Sequence, residues 1–245
     1  MNKNSMLYWW PLVRDLNIPM PETHIVELNM TYDEVFGVLD GEKSSADAWA
    51  RQLPAIRKAV ERVGVPAFVR TDHTSGKHDW DLTCYLEGSD DKSLKRAIVG
   101  LVECSSLADL DIEALIVRKY IPMLTGFTAF VREMPINPER RYFVRDGAVE
   151  CHHPYWSAEA IEQGSRYLNL AENWEELLWE MNYEPDDEVE LLSKYAVLVG
   201  ACVKGYSSVD FCKAADGSWI FIDMAEGGRS EHPACSYGES DSDVE

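Results

Sequence analysis

The sequence predicts an α+β protein of two lobes built on antiparallel sheets, rather than a doubly wound parallel sheet. Three observations predict it. Strand-like and helix-like segments mix through the first half, and hairpin signals dominate the second. The chain is 46% hydrophobic over 245 residues, enough for a sizeable core. At roughly 150 residues per domain, this length corresponds to one large domain or two small lobes.

Taken in order, Met6 to Val13 is a short apolar run interrupted by Pro11, well under the roughly 20 apolar residues of a membrane span. His24–Asn29 reads as a strand. Ser45–Val63 reads as a helix, because Trp49, Leu53, Ile56, Val60 and Val63 recur at alternating spacings of four and three. Pro54 within it marks a kink or a late start. Pro66–Asp72 and Asp81–Leu86 have strand character, and Asp91–Val102 carries Leu94, Ile98, Leu101 and Val102 on one helical face. Leu115–Ile121 and Thr128–Met134 are predicted strands. Arg141–His153 and Tyr206–Met224 each hold an Asp-Gly step, Asp146-Gly147 and Asp216-Gly217, between β-branched and aromatic residues. Such steps suit the positive φ angles of tight hairpin turns. Between the hairpins lie two predicted helices, Asn173–Asn182 and Asp187–Val203, separated at Glu184-Pro185, where the residue before proline disfavours the helical region.

The charge is −20, from 43 acidic and 23 basic residues, which excludes a non-specific nucleic-acid binder. Residues 171–190 hold nine acids and the last fifteen residues five, with no Lys or Arg in either stretch. Residues 115–145 run the other way, with Arg118, Lys119, Arg132, Arg140, Arg141 and Arg145 against Glu133 and Glu139. A cationic island in an acidic chain fits a specific anionic ligand, and it fits solvated strand faces equally well. The six cysteines form no CxxC pair, which argues against structural zinc. With no signal peptide or membrane span in the sequence, the expectation is a cytoplasmic protein in a reducing compartment. There is no P-loop, because Thr71 stands where its first glycine belongs. No G-x-G-x-x-G and no G-x-S-x-G is present.

Three segments remain that carry chemistry. In Pro66–Trp80, a short strand delivers Arg70 and is followed by a small polar loop with Ser75, Gly76 and Lys77. A strand-borne cation and a glycine–lysine loop can hold phosphates, though an exposed strand-to-loop turn has the same pattern. Leu115–Pro122 followed by Gly126–Arg132 is a strand, a proline-marked turn and a strand. Such a hinge can offer backbone groups and an aromatic ring to a purine; an ordinary strand–turn–strand matches it as well. The third segment, 207–230, places Asp210 and Asp223 on facing strands. Two acids in apolar runs are costly unless paired or metal-bound, and paired carboxylates beside cations suit magnesium on phosphates.

The order of these segments resembles the ATP-grasp superfamily. More narrowly, it is similar to the eukaryotic cell-division-cycle assembly factors that chaperone the gamma subunit of translation initiation factor two, with their viral and bacterial relatives. The residues that carry the resemblance are Trp9-Trp10-Pro11-Leu12, Val117-Arg118-Lys119-Tyr120, Arg141 through Gly147, His153-Pro154-Tyr155-Trp156 and Phe221-Ile222-Asp223. The resemblance implies an ATP-grasp fold, with two α+β lobes holding nucleotide between antiparallel sheets. It divides the chain into an N-terminal segment 1–64, a small lobe 65–114, a large lobe 115–232 and an acidic flexible tail 233–245. It implies ATP and Mg2+ as ligands. Arg70 would then contact the α and β phosphates, Lys77 would lie in the loop over the triphosphate, and Arg118, Lys119, Tyr120 and Ile121 would form the adenine-side hinge. Arg141 would stabilise the transferring phosphoryl group, and Asp210 and Asp223 would hold magnesium. The family usually has an asparagine where Ala225 stands, so either Glu226 substitutes for it or the second metal is weakened, a departure that bears on catalysis more than on nucleotide binding.

Two functions follow. One is an ATP-dependent ligase that activates a carboxylate as an acylphosphate for an amine or thiol, with Arg132 or Arg229 holding the acceptor carboxylate. The other is an ATP-binding assembly chaperone for a protein partner, with the acidic stretches steering the encounter or simply solvating the surface. A nucleotidyltransferase is disfavoured, because the chain has no K-x-D-G motif. The eight tryptophans read as core, with Trp80 also placed to cover a nucleotide.

Overall fold

The computed structural model describes residues 2–166 and 170–232. The tail predicted for 233–245 lies outside the described residues. The order of elements is α1 (Met6–Val13), β1 (Thr23–Glu27), α2 (Tyr32–Phe36), α3 (Lys43–Val63), β2 (Ala67–Thr71), β3 (Tyr85–Leu86), α4 (Asp91–Leu107) and β4 (Ala114–Lys119). There follow β5 (Phe127–Ala129), β6 (Met134–Ile136), β7 (Glu139–Arg145), β8 (Ala148–Pro154), α5 (Ala158–Gly164), α6 (Trp174–Asn182), α7 (Asp186–Cys202), β9 (Tyr206–Lys213) and β10 (Trp219–Glu226).

Two four-stranded sheets organise the protein, in the orders β1-β4-β2-β3 and β10-β9-β7-β8, and their strand pairings are antiparallel. β5 and β6 form a separate two-stranded ribbon. The expected boundary at residue 115 falls inside the first sheet. β4 pairs with both β1 and β2, so it belongs with the earlier strands, and β1 joins the 1–64 segment to that same sheet.

Alternation along β4 explains how one strand serves two cores. Leu115 and Val117 join Trp49, Ile56, Leu94 and Leu101 in the core beneath α3 and α4. Ala114 and Ile116 face the other way, into a core with Trp9, Tyr142, Phe211 and Phe221 from α1 and the second sheet. The period-four/three stripe of α3 is buried as predicted, and the helix runs unbroken through Pro54. Pro54 is exposed, so water can satisfy the Ala50 carbonyl that loses its helical donor there. The apolar Met6–Val13 run is a buried helix, capped by the Ser5 side chain.

Asp146-Gly147 is a two-residue hairpin loop with both residues at positive φ, +49° and +85°. The predicted single strand 128–134 is instead broken by a turn, with Phe130 and Glu133 at φ +64° and +49°. Of the predicted strand 81–86, only Tyr85–Leu86 is extended. Among the described residues no helix is long and apolar enough to cross a membrane, and cysteines 84, 104, 202 and 212 are free thiols.

Asp72, fully buried at the end of β2, fastens three elements. Its carboxylate accepts from the Ser5 hydroxyl at 2.7 Å and from the backbone N–H groups of Glu113 and Ala114 at 3.1 and 3.2 Å. Replacing it by alanine leaves buried donors without an acceptor, at about 1–3 kcal/mol each. Asp72→Ala is therefore expected to lower stability by about 3 kcal/mol or more in urea unfolding, and a loss under about 1 kcal/mol would show that these bonds are not the joint between α1 and the first sheet.

Candidate functional site

The two sheets turn charged faces toward a shared cavity of about 620 Å³, within the range of roughly 300–1,000 Å³ typical of small-molecule sites. On β2, Ala67 and Val69 enter the core, so Phe68 and Arg70 face the cavity; on β4 the same alternation delivers Arg118. On the second sheet Val209 and Phe211 enter the core, which sends Asp210 and Cys212 to the cavity beside Glu139 and Arg141 of β7.

β10 needs an irregularity to join them. Trp219 and Phe221 are core residues, so strict alternation would bury Asp223 with them. The register shifts between Phe221 and Asp223, which makes Met224 the next core residue and brings Asp223 opposite Asp210. A β-bulge at Ile222 thus re-aims one carboxylate into the site.

Each aspartate is held by an arginine. Arg141 forks onto Asp210 with two bonds of 2.8 Å. Arg70, only 4% exposed, reaches Asp223 from the other sheet at 2.7 Å. Arg118 donates to the Ile222 carbonyl and to the Thr23 hydroxyl, and its Nη2 is buried with no hydrogen-bond partner among the described residues. Burial and the neighbouring Arg70 guanidinium push the Arg118 pKa down to about 9, against the pull of Asp223. Two cations with one carboxylate between them favour an incoming anion. For Arg141, burial works against the charge, but Asp210 outweighs it and raises the pKa.

Lys77 begins a short 3-10 turn after Gly76, whose φ of +59° favours glycine and where a Cβ would crowd Thr83 and Cys104 at 3.1 Å. Its Nζ lies 3.4 and 3.5 Å from the two Glu139 oxygens, 4.0 Å from the Tyr155 ring centre and 4.7 Å from that of Trp156. Burial opposes the Lys77 charge, and Glu139 together with Tyr155 and Asp210 more than restores it. Burial pushes the Glu139 carboxyl up to about 7, with Asp210 adding to this and Lys77 opposing it. Beside Phe68, Trp80 stacks on Tyr85 at 5.1 Å, and Tyr120 meets Tyr85 at 5.2 Å.

Of the residues expected from sequence, Arg70, Lys77, Arg118, Lys119, Tyr120, Ile121, Arg141, Asp210 and Asp223 line this one cavity. Three do not. Arg132 sits in the β5–β6 turn, 3.4 Å from Asp81, because that segment is not the continuous strand its pattern predicts. Arg229 is exposed and faces Glu226 at 3.8 Å. Glu226 is one step out of phase: Asp223 and Ala225 share a face, while Glu226 shares the opposite face with Met224. It therefore cannot take the place that Ala225 leaves. The sequence reading missed Glu139 and underused Tyr155 and Trp156. Glu139 and Arg141, spaced two apart on a strand, carried the signal of a charged face.

A magnesium ion fits this donor set only in part. Asp210 and Asp223 face one another, but among the described residues no group of three His, Cys, Asp or Glu side chains converges. Two carboxylates suit an ion that takes its other ligands from phosphates and water, not a protein-only cage.

The profile of an ATP-grasp domain, family 3 of the clade designated R-two-K, matches residues 56–240. The chain belongs to this family. Its fold is similar to that of Cdc123 from Schizosaccharomyces pombe, with a TM-score of 0.56 at 15% identity, covering 92% of this chain and 86% of that one. C-terminally truncated Cdc123 from the same organism gives 0.57 at 14%, with the same coverage. N5-carboxyaminoimidazole synthase from Aspergillus clavatus, in complex with ADP and 5-aminoimidazole ribonucleotide, gives 0.50 at 12%, covering 91% of this chain and 44% of that one. These are likenesses of fold. No curated protein sequence matches.

Glu139 supplies a pH test. Its unfolded-state value is the ordinary 4.5 and its folded value about 7, so between them the folded protein retains a proton that the unfolded chain has lost. Its contribution to stability is full below pH 4.5 and declines as the pH rises toward 7. The melting temperature of the wild type is expected to fall relative to that of Glu139→Gln across this window; parallel curves would remove the assignment.

Proposed function

We propose that the chain binds Mg-ATP in the cavity between the two sheets and acts as an ATP-dependent ligase. The observation that carries this reading is the convergence of Arg70, Arg118 and the Asp210–Asp223 pair on one cavity that Trp80 and Tyr120 also line. The aromatic side chains suit a purine, and the charged ones suit its phosphates.

On this reading Arg70 holds the α and β phosphates, Arg118, Lys119, Tyr120 and Ile121 form the base-side hinge, and the Arg118 side chain, expected only in the hinge, adds its charge beside Arg70. Magnesium, held by Asp210 and Asp223, neutralises phosphate charge when bound. Arg141 stabilises the phosphoryl group as it passes from ATP to a substrate carboxylate oxygen, releasing ADP. An amine or thiol then attacks the acyl carbon, and inorganic phosphate leaves. Arg70 and Arg141 already pair with the two aspartates, so the cations stay ordered until phosphate oxygens share them. That preorganisation lowers the cost of binding.

A second reading, an assembly chaperone with little turnover, is favoured by one observation. The chain covers 86% of Cdc123 but only 44% of the synthase, so most of that ligase has no counterpart here. The exposed Trp179 and Tyr183 beside the acids of α6 and α7 would then form part of the partner surface.

Calorimetry separates the parts. Removing Asp223 frees Arg70, so Asp223→Ala is expected to bind ATP in EDTA at least as tightly as the wild type while losing the gain from magnesium by about tenfold, or ~1.4 kcal/mol. An unchanged magnesium effect would overturn the metal assignment. Arg141→Ala is expected to spare ATP affinity within a few-fold and to lower turnover about a hundredfold, the scale of losing one charge-stabilising donor. Equal losses in both would remove its special role. ADP and phosphate released only with added cell metabolites support the ligase, and tight ATP binding without product supports the chaperone.

A further inference from the structure

Lys77 sits in a box that it does not itself build. The walls are Glu139, which opens β7, and Tyr155 and Trp156, which follow β8, so all three stand on or next to strands of the second sheet. The guest comes from the loop after β2 of the first sheet, 62 residues from Glu139 along the chain. A carboxylate beside two aromatic rings is a recognition unit for an ammonium group. The Glu139 side chain is only 6% exposed, so the box is desolvated on its anionic side. It opens onto the cavity next to Arg141, whose guanidinium lies 4.5 Å from the same Tyr155 ring.

The loop does not depend on this lysine for its shape. Thr83 donates to the Gly76 and Asp79 carbonyls at 2.8 and 3.0 Å, and the Thr71 hydroxyl accepts from the His73 and Thr74 N–H groups. The Lys77 side chain can therefore leave the box by rotamer change, with its backbone held. Five Lys and Arg side chains border the cavity (Arg70, Lys77, Arg118, Lys119 and Arg141), and of the two lysines Lys77 is the one seated in the box, with a flexible stem that lets it swing toward phosphate charge.

We infer that the box formed by Glu139, Tyr155 and Trp156 is the binding site for a primary ammonium ligand, the amine substrate, and that Lys77 occupies it as an internal stand-in until nucleotide draws the lysine away. The trigger rests on the reading that ATP binds in this cavity; the box does not. A primary ammonium is selected because its N–H donors reach both Glu139 oxygens while its carbon stem lies along the rings. A quaternary ammonium lacks those donors, and a planar guanidinium does not share the compact head of the lysine. Coupled in this way, nucleotide binding would open the amine site, so amine would follow ATP in order.

The test uses Lys77→Ala and Lys77→Ser, two variants of a loop pinned by other residues, and n-propylammonium chloride, which reproduces the lysine side chain beyond Cβ. Without nucleotide, both variants are expected to show a saturable change in tryptophan fluorescence and a rise in melting temperature with propylammonium. The wild type should respond at least tenfold more weakly, and so should Lys77→Ala combined with Glu139→Gln. n-Propanol and tetramethylammonium should be inert. In the wild type, the propylammonium response should emerge on adding magnesium and a non-hydrolysable ATP analogue. Folded variants without a saturable response, or an equal response after loss of Glu139, would overturn the box. Calorimetry of ATP on the same preparations keeps the two readings apart. Failure of the wild type to bind ATP, with a responsive Lys77→Ala, would remove the nucleotide reading alone, and ATP binding by the wild type with an unresponsive Lys77→Ala would remove the box alone.

Discussion

The joint on which this molecule depends is the contact of two arginines from one sheet with the irregular strand of the other. Arg70 bonds Asp223, and Arg118 bonds the carbonyl of Ile222, the extra residue of the bulge. Both arginines are nearly fully buried. Removing a guanidinium from water is costly unless it is paired, and these acceptors offset that cost for Arg70 and in part for Arg118, whose Nη2 stays without an acceptor among the described residues. The joint therefore holds the sheets in register and concentrates charge at the same place. Around it lie a second, bidentate pair at Arg141 and Asp210 and a third at Lys77 and Glu139.

These pairs give the cavity its chemical character. Apolar packing is completed on the other faces of the same strands, beneath α3 and α4 and against α1 and α7. The cavity-facing positions are thereby released from the duty of building core. They can hold acids and bases whose mutual attraction offsets the cost of burial. The cavity combines the buried cations Arg70 and Arg118 with an aromatic cluster in which Trp80 and Tyr120 line the space and Tyr85 packs behind them. An anionic ligand with a flat apolar end meets both demands.

Much of this was legible along the chain because it is written in short-range pattern. The helical stripe of α3, the positive-φ turn at Asp146-Gly147 and the stranding of Arg70, Asp210 and Asp223 within apolar runs are all local signals. What failed were inferences that required knowing which side of a strand a residue takes. Glu226 lies three residues past Asp223, and only the pairing with β9 shows that it has turned away. Arg132 looked like a strand residue until Phe130 and Glu133 adopted a turn. β4 looked like the start of a second lobe, although its hydrogen bonds tie it to β1 and β2.

By itself, the sequence determined the class of fold, the four long or periodic helices α3, α4, α6 and α7, the two Asp-Gly hairpins and the identity of most cavity-lining charges, because periodicity and turn chemistry act over a few residues. It also determined the family, through the order of its segments. Only the tertiary structure decided which charges meet: that Asp210 belongs to Arg141, Asp223 to Arg70 and Lys77 to Glu139 with Tyr155 and Trp156. Those pairings join residues 62 to 153 positions apart, and they depend on sheet register and on one bulge. A one-residue slip inverts the facing of every side chain beyond it, so the site follows from the way the strands pair and from no single segment.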